Sequence, residues 1–111
     1  MKRGEVWTVA GAKDYAAKPR PIVIVQDDRF DATDSITVCS FTTDSTDAPL
    51  FRLPVPPTEG NGLRAPCRLM VDKITTVSKV KLGRRLGVLE GDQVRSLNRA
   101  MMVFIGMAGG A

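Results

Sequence analysis

At 111 residues, with 43% hydrophobic and 25% charged side chains, the chain is long enough for one hydrophobic core and too short for two, and bulk disorder is excluded. No apolar run approaches the roughly 18 to 20 residues of a membrane helix, and two cysteines are too few for a disulfide framework or a zinc site, so Cys39 and Cys67 are expected as buried strand thiols. The net charge of +4 is unevenly spread: residues 1–26 hold five basic and two acidic side chains, residues 27–51 one arginine and six aspartates, and residues 52–85 eight basic and two acidic ones, so two cationic segments can meet in one polyanion-binding groove.

The chain opens without the apolar core of a signal peptide, which predicts a cytoplasmic protein. Residues 5–9 alternate around Trp7 and predict a first strand. Residues 11–18, rich in small side chains, are expected to form a mobile loop that carries Lys13 and Lys18 into the stretch K-P-R-P-I-V-I-V-Q. There, four consecutive β-branched residues, 22–25, predict a strand buried on both faces. Pro19 and Pro21 hold Arg20 extended at its mouth, because a residue before proline is driven out of the helical region and proline fixes its own φ. On residue types alone, Arg20 is open between a strand cap paired with a nearby aspartate and a substrate contact.

Residues 27–34 are a polar connection with Phe30 as the expected apolar anchor. Residues 35–41 predict a third strand ending at Thr42, Thr43 and Asp44, short oxygens suited to a strand end. Residues 50–55 predict an edge strand, since Pro54 cannot donate to a ladder. A turn-rich loop follows, and residues 67–78 are long for one strand and are expected to bend near Asp72. Alternation puts Leu69 and Val71 on one face and Arg68, Met70 and Asp72 on the other. After a basic turn at residues 83–85, residues 86–89 predict a last strand. From Gly91 the period becomes helical: Val94, Leu97, Met101, Phe104, Ile105 and Ala108 share one stripe, with Arg95, Asn98 and Arg99 facing away and Gly109 and Gly110 ending the helix. Short strands followed by one amphipathic helix predict a mainly β fold, a small curved barrel closed or flanked by that helix.

Taken in order, R-G-E-V-W at residues 3–7, the K-P-R-P-I-V-I-V-Q run, F-T-T-D at 41–44, N-G-L at 61–63 and V-D-K-I-T-T-V at 71–77 resemble the MazF/PemK/Kid toxin family across nearly the whole chain. The resemblance implies a single SH3-like barrel domain over residues 1–111, and a homodimeric endoribonuclease of a toxin-antitoxin system that cuts single-stranded RNA without metal or cofactor and is held by an acidic antitoxin. Residue by residue, Arg20 matches the family's catalytic arginine, Thr42 its catalytic hydroxyl, and Asp72 an acidic position used by some members. Lys13, Lys18, Thr43, Arg68, Asp72 and Lys73 are assigned as RNA contacts. The Kid subgroup carries an arginine two residues before the acidic position, where this chain has Met70; Arg68 lies two residues earlier still, about 7 Å away along a strand.

The chemistry is consistent with the residues available. RNA can be cut by its own 2′-hydroxyl if the enzyme aligns the attack and stabilises charge on phosphorus. The chain has no histidine to carry protons, which leaves a guanidinium able to hold two phosphate oxygens and a hydroxyl able to donate or relay. Two rival classes are a CcdB-type gyrase inhibitor and a non-catalytic RNA-binding barrel. The first would carry a Trp-Gly pair at the helix end, where this chain reads F-I-G-M-A; the second would carry more aromatic residues than the one Trp, one Tyr and four Phe present.

Overall fold

The structure is a computed structural model that describes residues 1–10 and 19–108. Six strands form one antiparallel sheet: β1 (Glu5–Val9), β2 (Arg20–Ile24), β3 (Ser35–Thr42), β4 (Arg52–Val55), β5 (Cys67–Ser78) and β6 (Leu82–Val88). Their order is β4-β5-β3-β2-β1-β6, and α1 (Gly91–Phe104) lies against β4 and β5. The expected β fold with one C-terminal helix is thus present. The barrel is flanked by the helix and is not closed, since β4 and β6 do not pair with each other.

Curvature gives the sheet two cores. Val23, Val25, Cys39, Phe41, Leu69 and Val71 face α1 and bury Leu97 and Ala100 against them. Ile22, Ile24, Ile36 and Val38 fill the other face under Met1, Trp7, Val9, Val77 and Leu82. β2 is therefore covered on both sides, as its unbroken β-branched run requires. β5 bends as expected: Cys39 pairs with Ile74, but Phe41 pairs with Leu69, so the segment around Asp72 bulges out of the ladder with β3.

Four expectations are corrected. Phe30 is 57% exposed, its ring under the Arg29 guanidinium at 5.6 Å, and anchors no core. β4 begins at Arg52, because the Ala48 carbonyl accepts the N–H groups of Phe51 and Arg52 in a turn. β6 begins at Leu82 and includes the basic trio read as a turn. Bulges around Trp7 break its alternation, and Gly83 lets Thr8 approach to where a Cβ would stand 2.3 Å from the Thr8 hydroxyl. Finally, α1 stops at Phe104 with Gly106 at φ +80, the left-handed residue that ends many helices. Ile105 and Ala108 lie beyond it and are exposed, and Gly109 and Gly110 lie outside the described residues.

Candidate active site

The β1–β2 register pairs Val9 with Arg20, and the β2–β3 register pairs Ile22 with Ser40. Carrying the second register two residues further sets Arg20 opposite Thr42. Thr42 in turn pairs with Arg68 of β5, and Arg68 with Pro54 of β4. One row thus crosses the sheet at its end, with Arg20, Thr42 and Arg68 on neighbouring strands, about 4.8 Å apart from strand to strand. Directly opposed residues of antiparallel strands share a face. That face is the one occupied further along by Ile22, Ile24, Ile36 and Val38.

Arg20, Thr42 and Thr43 line a depression of about 220 Å³ together with Pro21, Phe41 and Cys67. A second, of about 340 Å³, runs from Thr42 and Thr43 to Arg68. A third, of about 680 Å³, extends from Pro19 and Pro21 to Leu63, Arg64, Gly83 and Arg84. The first shares Thr42, Thr43 and Cys67 with the second and Pro21 and Cys67 with the third, so the three adjoin around Cys67 along one groove. Its walls contain Arg20, Arg64, Arg68 and Arg84 and, among the described residues, no carboxylate. The two cationic segments of the sequence therefore do meet; of the acidic segment 27–51, Phe41, Thr42 and Thr43 line the groove and Asp44 follows directly, while residues 27–34 lie elsewhere.

At the centre stand an exposed guanidinium and a held hydroxyl. Arg20 is exposed and, among the described residues, forms no ion pair. Thr42 Oγ accepts the N–H of Asp44 at 3.1 Å, which fixes the side chain and leaves its own proton to donate. The Asp44 carboxylate is taken by Thr46, whose side-chain and backbone bonds hold its pKa below the usual range.

Other assigned residues are spread more widely. Thr43 is exposed at the junction of two depressions. Asp72 does not line the groove: Arg52 grips it with Nε at 2.8 Å and Nη2 at 3.1 Å, and this hydrogen-bonded pair holds the carboxyl below its ordinary pKa. Lys73 is exposed on the bulge, away from the groove residues. Lys13 and Lys18 lie outside the described residues. Cys67, expected to be buried, is only half-buried and donates to the Ala65 carbonyl at 3.2 Å, whereas Cys39 is fully buried and its thiol is pushed up to about 12 by burial and, less, by Asp72. Sequence reading missed Cys67 and Arg64 as groove residues. The available signal was Pro66, which precedes Cys67 at a strand start as Pro19 precedes Arg20.

The family of PemK-like, MazF-like toxins of type II toxin-antitoxin systems matches residues 2–105. The chain belongs to this family. The toxin is 52% identical over 110 residues to the probable endoribonuclease MazF of Mycolicibacterium smegmatis, a match covering 98% of this chain and 100% of the relative. Among solved structures, the Mycobacterium tuberculosis toxin MazF-mt6 superposes with a TM-score of 0.78 at 23% identity, over 95% of this chain and 99% of that one. A mycobacterial endoribonuclease in complex with its cognate antitoxin gives 0.77 at 22%, over 99% of both. MazF of Deinococcus radiodurans gives 0.77 at 13%, over 96% of this chain and 97% of that one. At such identities the structures show the fold alone.

Several of the toxin's recognisable motifs are structural. Arg3 donates to the Val25 carbonyl at 2.9 Å, and the Gly4 N–H and carbonyl bond Ile24 and Leu89 at φ +90. Burial alone would raise the Glu5 pKa, but the Lys2 N–H, the Trp7 indole and Arg85 outweigh it and lower it. Asn61, fully buried, accepts from Thr58 and Leu63 and donates to Pro56, all at 3.0 Å, and so shapes the loop that forms the groove wall.

Proposed function

We propose that the toxin performs its family's endoribonuclease activity with Arg20 and Thr42, on single-stranded mRNA, and thereby arrests growth. The observation that carries this reading is the juxtaposition across β2 and β3 of a guanidinium with no ion pair among the described residues and a fixed hydroxyl in one depression. In the reaction, the RNA 2′-oxygen bonds to the adjacent phosphorus and the bond from phosphorus to the 5′-oxygen breaks. The 2′ proton leaves to water, and the 5′-oxygen takes up a proton relayed by Thr42. The products are a 2′,3′-cyclic phosphate and a 5′-hydroxyl. Arg20 holds two phosphate oxygens in a fork and offsets the charge that develops on them.

Thr43, with Lys13 and Lys18, contacts the flanking RNA in this reading, Arg68 contacts its backbone beside Thr42, Lys73 meets only RNA that runs past the groove onto the bulge, and Asp72 serves it through Arg52. The nucleophile in this reading is the RNA's own 2′-hydroxyl, so the step calls on no metal or cofactor. An acidic antitoxin segment competes for the arginine-lined groove by charge complementarity. A homodimer is supported by exposed apolar side chains at the end of α1, where Phe104, Ile105 and Met107 are 47%, 54% and 68% accessible. A cytoplasmic location fits these partners, and no helix among the described residues is long and apolar enough to cross a membrane.

The test is incubation with single-stranded RNA in EDTA, using substrates with and without one deoxynucleotide at the cut, with end-group analysis and a parallel gyrase supercoiling assay. The all-RNA substrate is expected to be cut in EDTA, and neither the deoxy substrate nor gyrase to be affected. Cleavage of the deoxy substrate, or loss of activity in EDTA, overturns the mechanism.

A further inference from the structure

The strand reading put Arg68 too far from the chemistry, and the bulge of β5 reverses that. Between the pairs Cys39–Ile74 and Phe41–Leu69, β3 advances two residues while β5 advances five. The surplus lies around Asp72 and pulls Arg68 into direct register with Thr42. Thr42 is then flanked on one strand by Arg20 and on the other by Arg68, on the same face of the sheet.

The positions that the family resemblance highlighted on β5 are occupied otherwise. Met70 carries no charge, stands opposite Arg52, and accepts the Cys39 thiol at its carbonyl. Asp72 is gripped at both oxygens by Arg52. Arg68 forms no ion pair among the described residues; its Nη1 makes a long approach to the Asp44 carbonyl, 3.5 Å, and its charge adds a minor part to the lowering of the Asp44 carboxyl. It is half-buried at the wall shared with Thr42 and Thr43.

We propose that Arg68 is a second catalytic residue, touching the scissile phosphate opposite Arg20, so that the two guanidiniums hold its non-bridging oxygens from either side of Thr42. This rests on the ribonuclease reading above and deepens it. As the 2′-oxygen bonds to phosphorus, negative charge accumulates on those two oxygens, and two fixed cations stabilise it more than one. Neither arginine gives or takes a proton. Thr42, between them, is placed to relay one to the departing 5′-oxygen. A chain without imidazole gains most from such a clamp, because alignment and charge stabilisation are the terms left to it.

Single-turnover cleavage at saturating enzyme, combined with binding to RNA bearing one deoxynucleotide at the cut, separates chemistry from affinity. Arg68→Ala and Arg68→Gln are expected to lower the saturated rate by about 100-fold, the scale of losing one transition-state donor, with only a few-fold loss of affinity. Arg68→Lys is expected to recover little, since an ammonium lacks the planar fork. Arg84→Ala, a groove cation away from Thr42, is expected to lose more affinity than rate. Unchanged melting temperatures for Arg68→Gln or Arg68→Lys secure the folded state. A wild-type saturated rate in the Arg68 variants, with weaker binding only, overturns this assignment while leaving the ribonuclease reading intact. Absence of cleavage by the wild type, or its survival in Arg20→Ala, overturns both.

Discussion

Replacing Asn61 by alanine tests whether the groove wall is held by one buried amide. Asn61 is fully inaccessible, and its side chain makes three bonds of 3.0 Å: it accepts the N–H groups of Thr58 and Leu63 and donates to the Pro56 carbonyl. The Leu63 N–H is itself buried, so in Asn61→Ala it is left without a partner, at a cost of about 1–3 kcal/mol. The Thr58 N–H and Pro56 carbonyl lie nearer solvent and recover water, so each loses only the net value of a bond, about 0.5–1.5 kcal/mol. The total is about 4 kcal/mol, or on the order of 15 to 20 °C in Tm for a chain of this size. Urea and thermal unfolding at a fixed protein concentration measure it. Asn61→Asp keeps the accepting oxygen but sets a second oxygen against the Pro56 carbonyl, and should also destabilise. A loss below about 1 kcal/mol in Asn61→Ala would refute the reasoning, by showing that the loop from Pro56 to Leu63 is held by something else.

Arg20→Lys is expected to lose about 100-fold or more in cleavage rate despite keeping its charge, and Thr42→Ser to retain much activity where Thr42→Ala does not; initial rates on one short RNA suffice. Four arginines line the groove, so log affinity for single-stranded RNA should fall against log salt with a slope of about −3, and Arg84→Ala should flatten it by about 0.7. Leu97→Ala, in the core under α1, should cost about 2–5 kcal/mol in urea unfolding. Stability against pH should fall at both ends. Glu5, Asp27, Asp31, Asp44 and Asp72 are all held below their ordinary values, so the unfolded chain binds more protons in acid, and stability is lost as pH drops through and below the carboxylate range. The buried Cys39 thiol, raised from 9.0 to about 12, gives up stability as pH rises between those values, a loss that Cys39→Ala should remove.

The strands, the doubly covered β2 and the helix were legible because each depends on a local period of apolar residues. The meeting of Arg20 with Thr42 was legible through resemblance, and the register supplies its physical reason. What the sequence concealed is non-local. The length of β5 pointed to a bend near Asp72, but it alternates without a break from Arg68 to Asp72, so nothing in its own pattern shows that three of its residues are passed over by β3. The skip needs the partner strand, and it moves Arg68 to Thr42. The same holds for Arg52, which appears only as an edge-strand residue until β4 pairs with β5 and brings it to Asp72. Cys67 misled for a different reason: thiols are so often buried that its place at a strand mouth after Pro66 was outweighed.

The row and the loops carry different constraints. Arg20, Thr42 and Arg68 stand at the end of a paired ladder, where neighbouring strands fix their separation, and a site that works by alignment and charge tolerates little displacement. The groove walls come from Thr43 and from Pro56 and residues 62–66, and the loop that carries the latter is held by exchangeable side-chain bonds such as those of Asn61 with its neighbours. Substitutions on the row should therefore change how fast RNA is cut, and substitutions on the walls which RNA is cut. Mapping cut sites on one mixed RNA pool for Arg64→Ala and Thr43→Ala, beside Thr42→Ser, checks this. A Thr42→Ser variant that shifts the cut sites, or wall variants that slow every site equally without redistributing them, would contradict the separation.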